Sequence, residues 1–141
     1  MNVLIDTNVI LDYILKREPF YLISADCLEK LAADNTKIWL TASTVTDIYY
    51  LSRKALGDTG AAKQVIVKLL SVFHIAGVDH ADCNKALETD MVDFEDALVS
   101  VCAKKISAQY IITRSIKHFN RSSVPAIHSE NFVKNSRYAN T

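Results

Sequence analysis

The sequence predicts an α/β fold, a three-layer sandwich in which helices cover both faces of a mainly parallel central sheet. Short β-type apolar runs alternate along the chain with longer segments of helical periodicity, and this alternation is typical of parallel strands joined by helices. The length of 141 residues and the hydrophobic content of 50% fit one compact domain, predicted to span residues 1–141. No linker or internal repeat divides the chain.

Five short runs of apolar residues, rich in Val, Ile and Leu, are predicted to form the strands. They lie at residues 3–5, 38–40, 73–76, 110–112 and, with a weaker pattern, 124–127. Ligands of a parallel sheet bind outside the carboxyl ends of its strands, near the point where the strand order reverses. The residues directly after these runs are therefore the first candidates for a functional site.

Helical periodicity predicts amphipathic helices between the strands. Gly57 is expected to end the third helix, and Asp58 or Thr59 to begin the next one. A short last helix is expected to open near Ser129. The apolar stripes that predict the longer helices lie at residues 9–14, 25–31, 45–55, 65–70 and 97–102.

The composition narrows the possible functions. Sixteen basic residues balance sixteen acidic ones, so the net charge neither requires nor excludes a nucleic-acid partner. The three glycines form neither a G-x-G-x-x-G nor a G-x-x-x-x-G-K-[ST] pattern, which argues against the usual dinucleotide and nucleotide sites.

The three cysteines have no C-x-x-C spacing and are expected to be reduced core residues. Since the sequence shows neither a membrane-length apolar run nor a secretory h-region, the chain is expected in the cytoplasm, away from the membrane.

Three aspartates follow predicted strands or open a predicted helix, and each has an ordinary structural explanation. Asp6, directly after the first strand, is expected to cap the following helix. Asp47 stands three residues after Thr44, which is the spacing of a capping box. Asp96, together with Asp93, complements the dipole at a helix N-terminus.

Capping does not explain why at least two of these acids lie at the same edge of the predicted sheet. Carboxylates brought together repel each other and raise each other's pKa unless a cation lies between them. Clusters of oxygen ligands suit hard cations such as Mg²⁺ or Mn²⁺, whose coordination is often completed by substrate phosphate. The joint pattern therefore predicts a divalent-cation site.

Several segments of the sequence resemble the PIN domain family, a metal-dependent ribonuclease fold common among the VapC-like toxins of bacterial toxin–antitoxin pairs. These segments follow one another over nearly the whole chain. They read LIDTNVILDYI, TASTVTDIYYLSRK, DFEDALVSVCA and AQYIITRSIKHF, the last followed by VPAIHSENF. The resemblance implies a Rossmann-like, PIN-like sandwich and hydrolysis of RNA phosphodiester bonds by a water that Mg²⁺ or Mn²⁺ activates.

The resemblance also implies site residues. It makes Asp6, Asp47 and Asp96 the metal-binding and catalytic acids. The sequence departs from the family at the fourth acidic position, because Ser115 and His118 stand where many relatives have an aspartate. Residues expected to support the site are Asn8, Asp93, Thr113 and Ser115, with Asp93 or Glu95 as a source of additional negative charge.

An RNA substrate requires positive charge beside an acidic pocket. Arg114, Lys117 and Arg121 cluster after the fourth strand and are expected either to contact RNA or to form a solvated surface. The resemblance implies two protein partners, an antitoxin and a second copy of the chain in a homodimer, for which Tyr49 and Tyr50 are candidate contacts. The four histidines are scattered and are assigned no catalytic role.

Two alternatives remain open beside an active ribonuclease. The first is a PIN-like binding or regulatory module that has lost cleavage, and the missing fourth acid supports it. The second is a phosphatase or phosphoacceptor domain, which also places an Asp after a strand. This second alternative fits less well, because DTN lacks the second acid of a D-x-D motif and no Lys follows Thr113 at a matching position.

Overall fold

The architecture is the predicted α/β sandwich around a parallel sheet. The computed structural model describes residues 1–134, which form a five-stranded sheet in the order β3-β2-β1-β4-β5. All neighbouring strands pair in parallel. The strands are β1 (Asn2–Ile5), β2 (Lys37–Thr41), β3 (His74–Ala76), β4 (Tyr110–Thr113) and β5 (Ala126–His128). Each of the five predicted runs contributes a strand, and the last part of the predicted domain, residues 135–141, lies outside the described range.

Seven α-helices and one 3₁₀ helix connect and cover the strands within the described residues. One of them, α5, was not predicted, because its only buried apolar side chain is Ala86. Its sequence signal is a capping box in which Asp79 and Asp82 each accept a hydrogen bond from the other's backbone N–H. The helices are α1 (Thr7–Ile14), α2 (Tyr21–Ala33), α3 (Ala42–Leu56), α4 (Thr59–Val72), α5 (His80–Glu88), α6 (Phe94–Lys105) and α7 (Ser129–Lys134), and the 3₁₀ helix is Ile116–Phe119.

Helix boundaries follow the predicted caps. Gly57 ends α3 with a φ of 69°, a left-handed conformation that a residue with a side chain rarely adopts. Asp58 then accepts a hydrogen bond from the Ala61 N–H and begins α4. None of the helices within residues 1–134 combines the length and hydropathy needed to cross a bilayer.

Alternating side chains of β1 divide the core between the two faces of the sheet. Val3 and Ile5 pack on one face with side chains of α1, α2 and α7, whereas Leu4 packs on the other face with side chains of α6. Because successive strand residues point to opposite faces, burial on both sides explains why β1 is a continuous apolar run. As predicted, Cys27 and Cys102 are free thiols in these two cores, and the third cysteine is half-buried.

The strand order reverses between β1 and β4. The chain continues from β1 to β2 on one side, and β4 pairs with the other side of β1. Asp6 follows β1 at this point, and its backbone N–H donates a hydrogen bond to the Ile112 carbonyl oxygen at 2.9 Å. The fold therefore places Asp6 at the position where sheets of this kind bind their ligands.

Ser52 on α3 carries the one buried side-chain polar atom without a hydrogen-bond partner among residues 1–134. Its side chain is completely inaccessible to solvent. We expect Ser52→Ala to raise the free energy of unfolding by up to about 1 kcal/mol, because the variant no longer buries an unsatisfied hydroxyl. Urea denaturation measures the change, with the exposed Ser71→Ala as a control, and a loss of more than about 1 kcal/mol in Ser52→Ala contradicts the prediction.

Candidate active site

A cavity of about 860 Å³ opens at the carboxyl edge of the sheet. Asp6, Asp47 and Asp96, the three acids singled out in the sequence, all line it. The cationic side chains of the lining are Lys117 and Arg121. Because Asp90, Asp93 and Glu95 also contribute, six carboxyl groups face this cavity.

Asp6 is both a helix cap and a cavity residue. Its Oδ1 accepts a hydrogen bond from the Thr7 N–H at 2.9 Å, so the expected cap is present. Its Oδ2 accepts a hydrogen bond from the Thr113 hydroxyl at the end of β4, also at 2.9 Å. Burial raises the pKa of Asp6, and these two hydrogen bonds offset part of that effect. Capping and a role in the cavity therefore do not exclude each other at Asp6.

Asp47 lies inside α3 and does not cap it. The cap of α3 is Thr41, whose hydroxyl accepts a hydrogen bond from the Thr44 N–H at 3.1 Å. The capping-box explanation of Asp47 is therefore wrong. Asp47 lies on the second turn of α3 and lines the cavity.

Glu95, expected only to add negative charge, is the partner of Asp47. A hydrogen bond joins their carboxyl groups. This bond comes first among the causes that raise the pKa of Glu95 to about 8, followed by burial and by the charges of Asp47, Asp93 and Asp6. The proximity of Asp47 therefore favours the protonated form of Glu95. The sequence signal for this role was the position of Glu95 on the first turn of α6, beside Asp96.

Asp96 lies between carboxylates and one imidazole. Asp93 caps α6 by accepting a hydrogen bond from the Asp96 N–H at 2.9 Å, as the dipole argument predicted. Burial and the charges of Asp93 and Asp6 raise the pKa of Asp96 to about 6, and His118 lowers it. The His118 Nδ1 atom lies 3.4 Å from Asp96 Oδ2.

The cavity is lined by oxygen donors of the type that bind divalent cations, but in the described residues these donors do not converge on one point. Within residues 1–134, no three Asp, Glu, His or Cys side chains converge closely enough in this conformation to hold one ion. Asp47 is instead bonded to Glu95, and Asp96 lies against His118. The raised pKa values of Asp6, Glu95 and Asp96 show that negative charge is disfavoured here, and a cation would relieve that cost. The carboxylate oxygens are the donors that Mg²⁺ and Mn²⁺ prefer.

The other predicted site residues divide between the cavity and its surroundings. Thr113 stands behind Asp6, and its hydroxyl also accepts a hydrogen bond from the Ser115 N–H at 2.9 Å. The cavity lining includes the predicted residues Asn8, Asp93, Ser115, Lys117 and Arg121.

Arg114 is not part of the cavity lining. Its Nε donates a hydrogen bond to Asp12 Oδ2 at 2.6 Å, and its Nη2 donates to Asp12 Oδ1 at 3.3 Å. Its guanidinium carbon also lies 3.9 Å from the ring centre of Phe20. Because Asp12 is completely buried, the pair stabilises the fold, and its guanidinium is already engaged there rather than in the cavity.

The raised pKa values predict the pH dependence of the metal-free chain. A carboxyl group whose pKa is higher in the folded state stabilises the fold below its unfolded value, and this contribution is lost as the pH rises through the folded value. For Glu95 this range runs from 4.5 to about 8, and for Asp96 from 3.8 to about 6. We therefore expect the Tm in EDTA to fall between about pH 4 and about pH 8.

Calorimetric scans at several pH values measure this fall. Glu95→Gln should flatten the upper part of the profile, because the amide does not titrate. The exposed Glu88→Gln on α5 is the matched control and should keep the wild-type profile. A wild-type Tm that rises across this range contradicts the prediction.

Comparisons with known proteins agree with this architecture. The family described as the PIN domain matches residues 2–117. VapBC2 from Rickettsia felis, solved with a DNA fragment from its promoter, contains a chain with 20% identity and a TM-score of 0.71, and the match covers 91% of this chain and 98% of that chain. FitAcB from Neisseria gonorrhoeae gives 20% identity and a TM-score of 0.69, with coverages of 90% and 97%. VapBC-1 from nontypeable Haemophilus influenzae gives 17% identity and a TM-score of 0.67, with coverages of 92% and 98%. No curated protein sequence matches the chain at a significant level.

Proposed function

The chain belongs to the PIN domain family, and on that premise we propose that it is a metal-dependent endoribonuclease that hydrolyses RNA phosphodiester bonds with Mg²⁺ or Mn²⁺. The observation that carries the proposal is the presence of Asp6, Asp47 and Asp96 in one cavity. They come from the β1–α1 junction, from α3 and from α6, so local secondary structure does not account for their presence in the same cavity. A shared acidic cavity at the switch point of the sheet supports a common cation.

In this proposal Asp6, Asp47 and Asp96 hold the ion through carboxylate oxygens. Bound there, Mg²⁺ or Mn²⁺ supplies a Lewis acid and lowers the pKa of a water. Thr113 orients Asp6 by donating a hydrogen bond to its Oδ2, and Ser115 in turn fixes the Thr113 hydroxyl. The reaction then requires no Ser, Cys or His nucleophile from the chain.

Lys117 and Arg121 are the proposed contacts for the RNA backbone, because they are the cationic side chains of the cavity lining. Each phosphate contact contributes to the salt dependence of RNA binding. We expect Lys117→Ala and Arg121→Ala to weaken binding and to reduce the slope of log K against log salt by about 0.7 each for a single-stranded RNA. Fluorescence anisotropy in EDTA measures the RNA affinity and its salt dependence. The exposed Lys63→Ala on α4 is the control. Unchanged slopes contradict these contacts.

We further propose that the chain is the toxin of a toxin–antitoxin pair, with an antitoxin protein and a second copy of itself as partners. The support for this proposal is that similar solved structures are of VapBC and FitAB assemblies. For the homodimer, Tyr50 and Leu51 leave apolar surface on α3, with 61% and 41% of each residue exposed. Tyr49, the other predicted contact, is half-buried.

A PIN-like binding module without cleavage is the second candidate function. His118 occupies the cavity where the resemblance implies an acid, and the described carboxyl groups do not converge on one point. Both observations favour weaker metal binding than four acids would give.

An RNA cleavage assay with Mn²⁺, with Mg²⁺ and with EDTA distinguishes the two functions. The ribonuclease proposal expects cleavage with a divalent cation, none in EDTA, and loss of cleavage in Asp96→Asn. The exposed Asp26→Asn on α2 is the control and should cleave like the wild type. Calorimetric Mn²⁺ binding without cleavage supports the binding module, and cleavage in EDTA contradicts the metal requirement.

A further inference from the structure

His118 is held inside the acidic cavity by the short helix that follows β4. Its backbone N–H donates a hydrogen bond to the Ser115 carbonyl oxygen at 2.9 Å, closing the 3₁₀ turn. The next residue, Phe119, is only 3% exposed and packs in the core with α6 side chains. Burial of Phe119 therefore fixes the position from which the His118 side chain reaches the cavity.

The imidazole of His118 shares the cavity with the proposed metal ligands. Its Nδ1 lies 3.4 Å from Asp96 Oδ2, and its charge, when present, lowers the pKa values of both Asp6 and Asp96. The side chain is 63% exposed, so it is free to turn toward an ion without leaving a packed environment. Among the described residues that line the cavity, His118 carries the one imidazole, a common metal ligand, whereas lysine and arginine side chains are N–H donors that offer no acceptor.

Nitrogen and oxygen donors select different metals. Carboxylate and water oxygens suit Mg²⁺, whereas imidazole suits Mn²⁺, Co²⁺ and Zn²⁺ increasingly well along the Irving–Williams order. We propose that His118 binds the cation beside Asp96, whose Oδ2 lies 3.4 Å from the His118 Nδ1, and thereby shifts the cation preference of this cavity from Mg²⁺ toward transition metals. This inference rests on the proposed function, because it assumes that the cavity binds a cation.

Calorimetric titration with Co²⁺ and with Mg²⁺ tests the proposal on the full chain. Removing the imidazole in His118→Asn should lower the ratio of Co²⁺ to Mg²⁺ affinity by about tenfold or more. Replacing it with a carboxylate in His118→Asp should lower the same ratio and raise the Mg²⁺ affinity itself. The exposed His80→Asn on α5 removes a histidine outside the cavity lining and should leave the ratio unchanged.

Imidazole nitrogen shifts give a measurement that does not depend on affinity or activity. In long-range ¹H–¹⁵N spectra with one equivalent of Zn²⁺, the ring nitrogens of His118 should shift, while those of His74, His80 and His128 should not. An unchanged Co²⁺ to Mg²⁺ ratio in His118→Asn, or unshifted His118 nitrogens in the Zn²⁺ complex, overturns the proposal.

The same titrations separate this inference from the proposed function. Asp6→Asn should abolish binding of both cations, because it removes a carboxylate that both share. If cations bind and depend on Asp6 but His118→Asn leaves the ratio unchanged, the inference fails and the metal site stands. If the wild type binds neither cation, the proposed function fails and this inference with it.

Discussion

Asp6→Asn is expected to reduce RNA cleavage by a factor of about 10² or more, because an amide lacks the negative charge that binds the cation. The same change should leave the fold intact. Asn is as good a helix cap as Asp, so the bond from the Thr7 N–H is retained. The Thr113 hydroxyl, which now donates to Asp6, is able to accept from an amide nitrogen as well.

The expected separation of activity from stability makes this variant informative. Initial rates on a fluorescent RNA with saturating Mn²⁺ measure the cleavage activity, and the Tm in EDTA measures the stability of the fold. Because burial raises the pKa of Asp6, removing its charge should keep the Tm or increase it. Asp58→Asn, which alters the cap of α4, is the matched control. Wild-type cleavage by Asp6→Asn would rule out the proposed site.

Arg114→Met is expected to lower the free energy of unfolding by about 3 kcal/mol, because it leaves Asp12 as a buried charge without its main partner. Asp12 is 0% exposed and receives two hydrogen bonds from the Arg114 guanidinium. Arg17, whose Nη1 is 3.9 Å from Asp12 Oδ1, offers only a more distant and more exposed replacement. Methionine keeps an apolar side chain over Phe20, so the loss reports mainly the charge pair.

Urea denaturation measures this loss, and a second variant identifies its cause. Combining Arg114→Met with Asp12→Asn should recover part of the stability, because the isolated charge is then gone. The exposed Arg121→Met should change stability by less than about 0.5 kcal/mol. Burial raises the pKa of Asp12, and the pairing with Arg114 counteracts this effect.

Without Arg114 the Asp12 carboxyl group is more easily protonated. The loss in the free energy of unfolding caused by Arg114→Met should therefore be smaller at about pH 4 than at about pH 7. A deficit that grows toward acidic pH contradicts this account.

The sheet was predictable because each strand is a short apolar run, and its alternation with helical segments requires parallel pairing. The weakest of the five runs, at residues 124–127, still corresponds to β5 (Ala126–His128), displaced toward the C-terminus. Helix α5 was missed because it lies at the periphery and buries little, so its apolar periodicity is faint. A capping box at Asp79 and Asp82 was its only clear signal in the sequence.

The candidate site was predictable only as far as the backbone determines it. Strand ends placed Asp6 at the carboxyl edge of the sheet, but no pattern in the sequence shows which way a side chain turns. Arg114 follows β4 as expected, yet its partner Asp12 is 102 residues away in sequence. The bond between Asp47 and Glu95 likewise joins α3 to α6. Pairings of this kind depend on packed three-dimensional structure, which local periodicity does not report.

The hydrogen bond between Thr113 and Asp6 spans 107 residues of sequence, and this has a consequence for biosynthesis. A ribosome that has completed β1, β2 and α3 has already made Asp6 and Asp47 but has made neither α6 nor β4. Contacts so distant in sequence form only after the later segment has emerged. A nascent chain that ends before α6 therefore carries the first two acids without a finished pocket, and the proposed nuclease stays inactive until β4 has been translated.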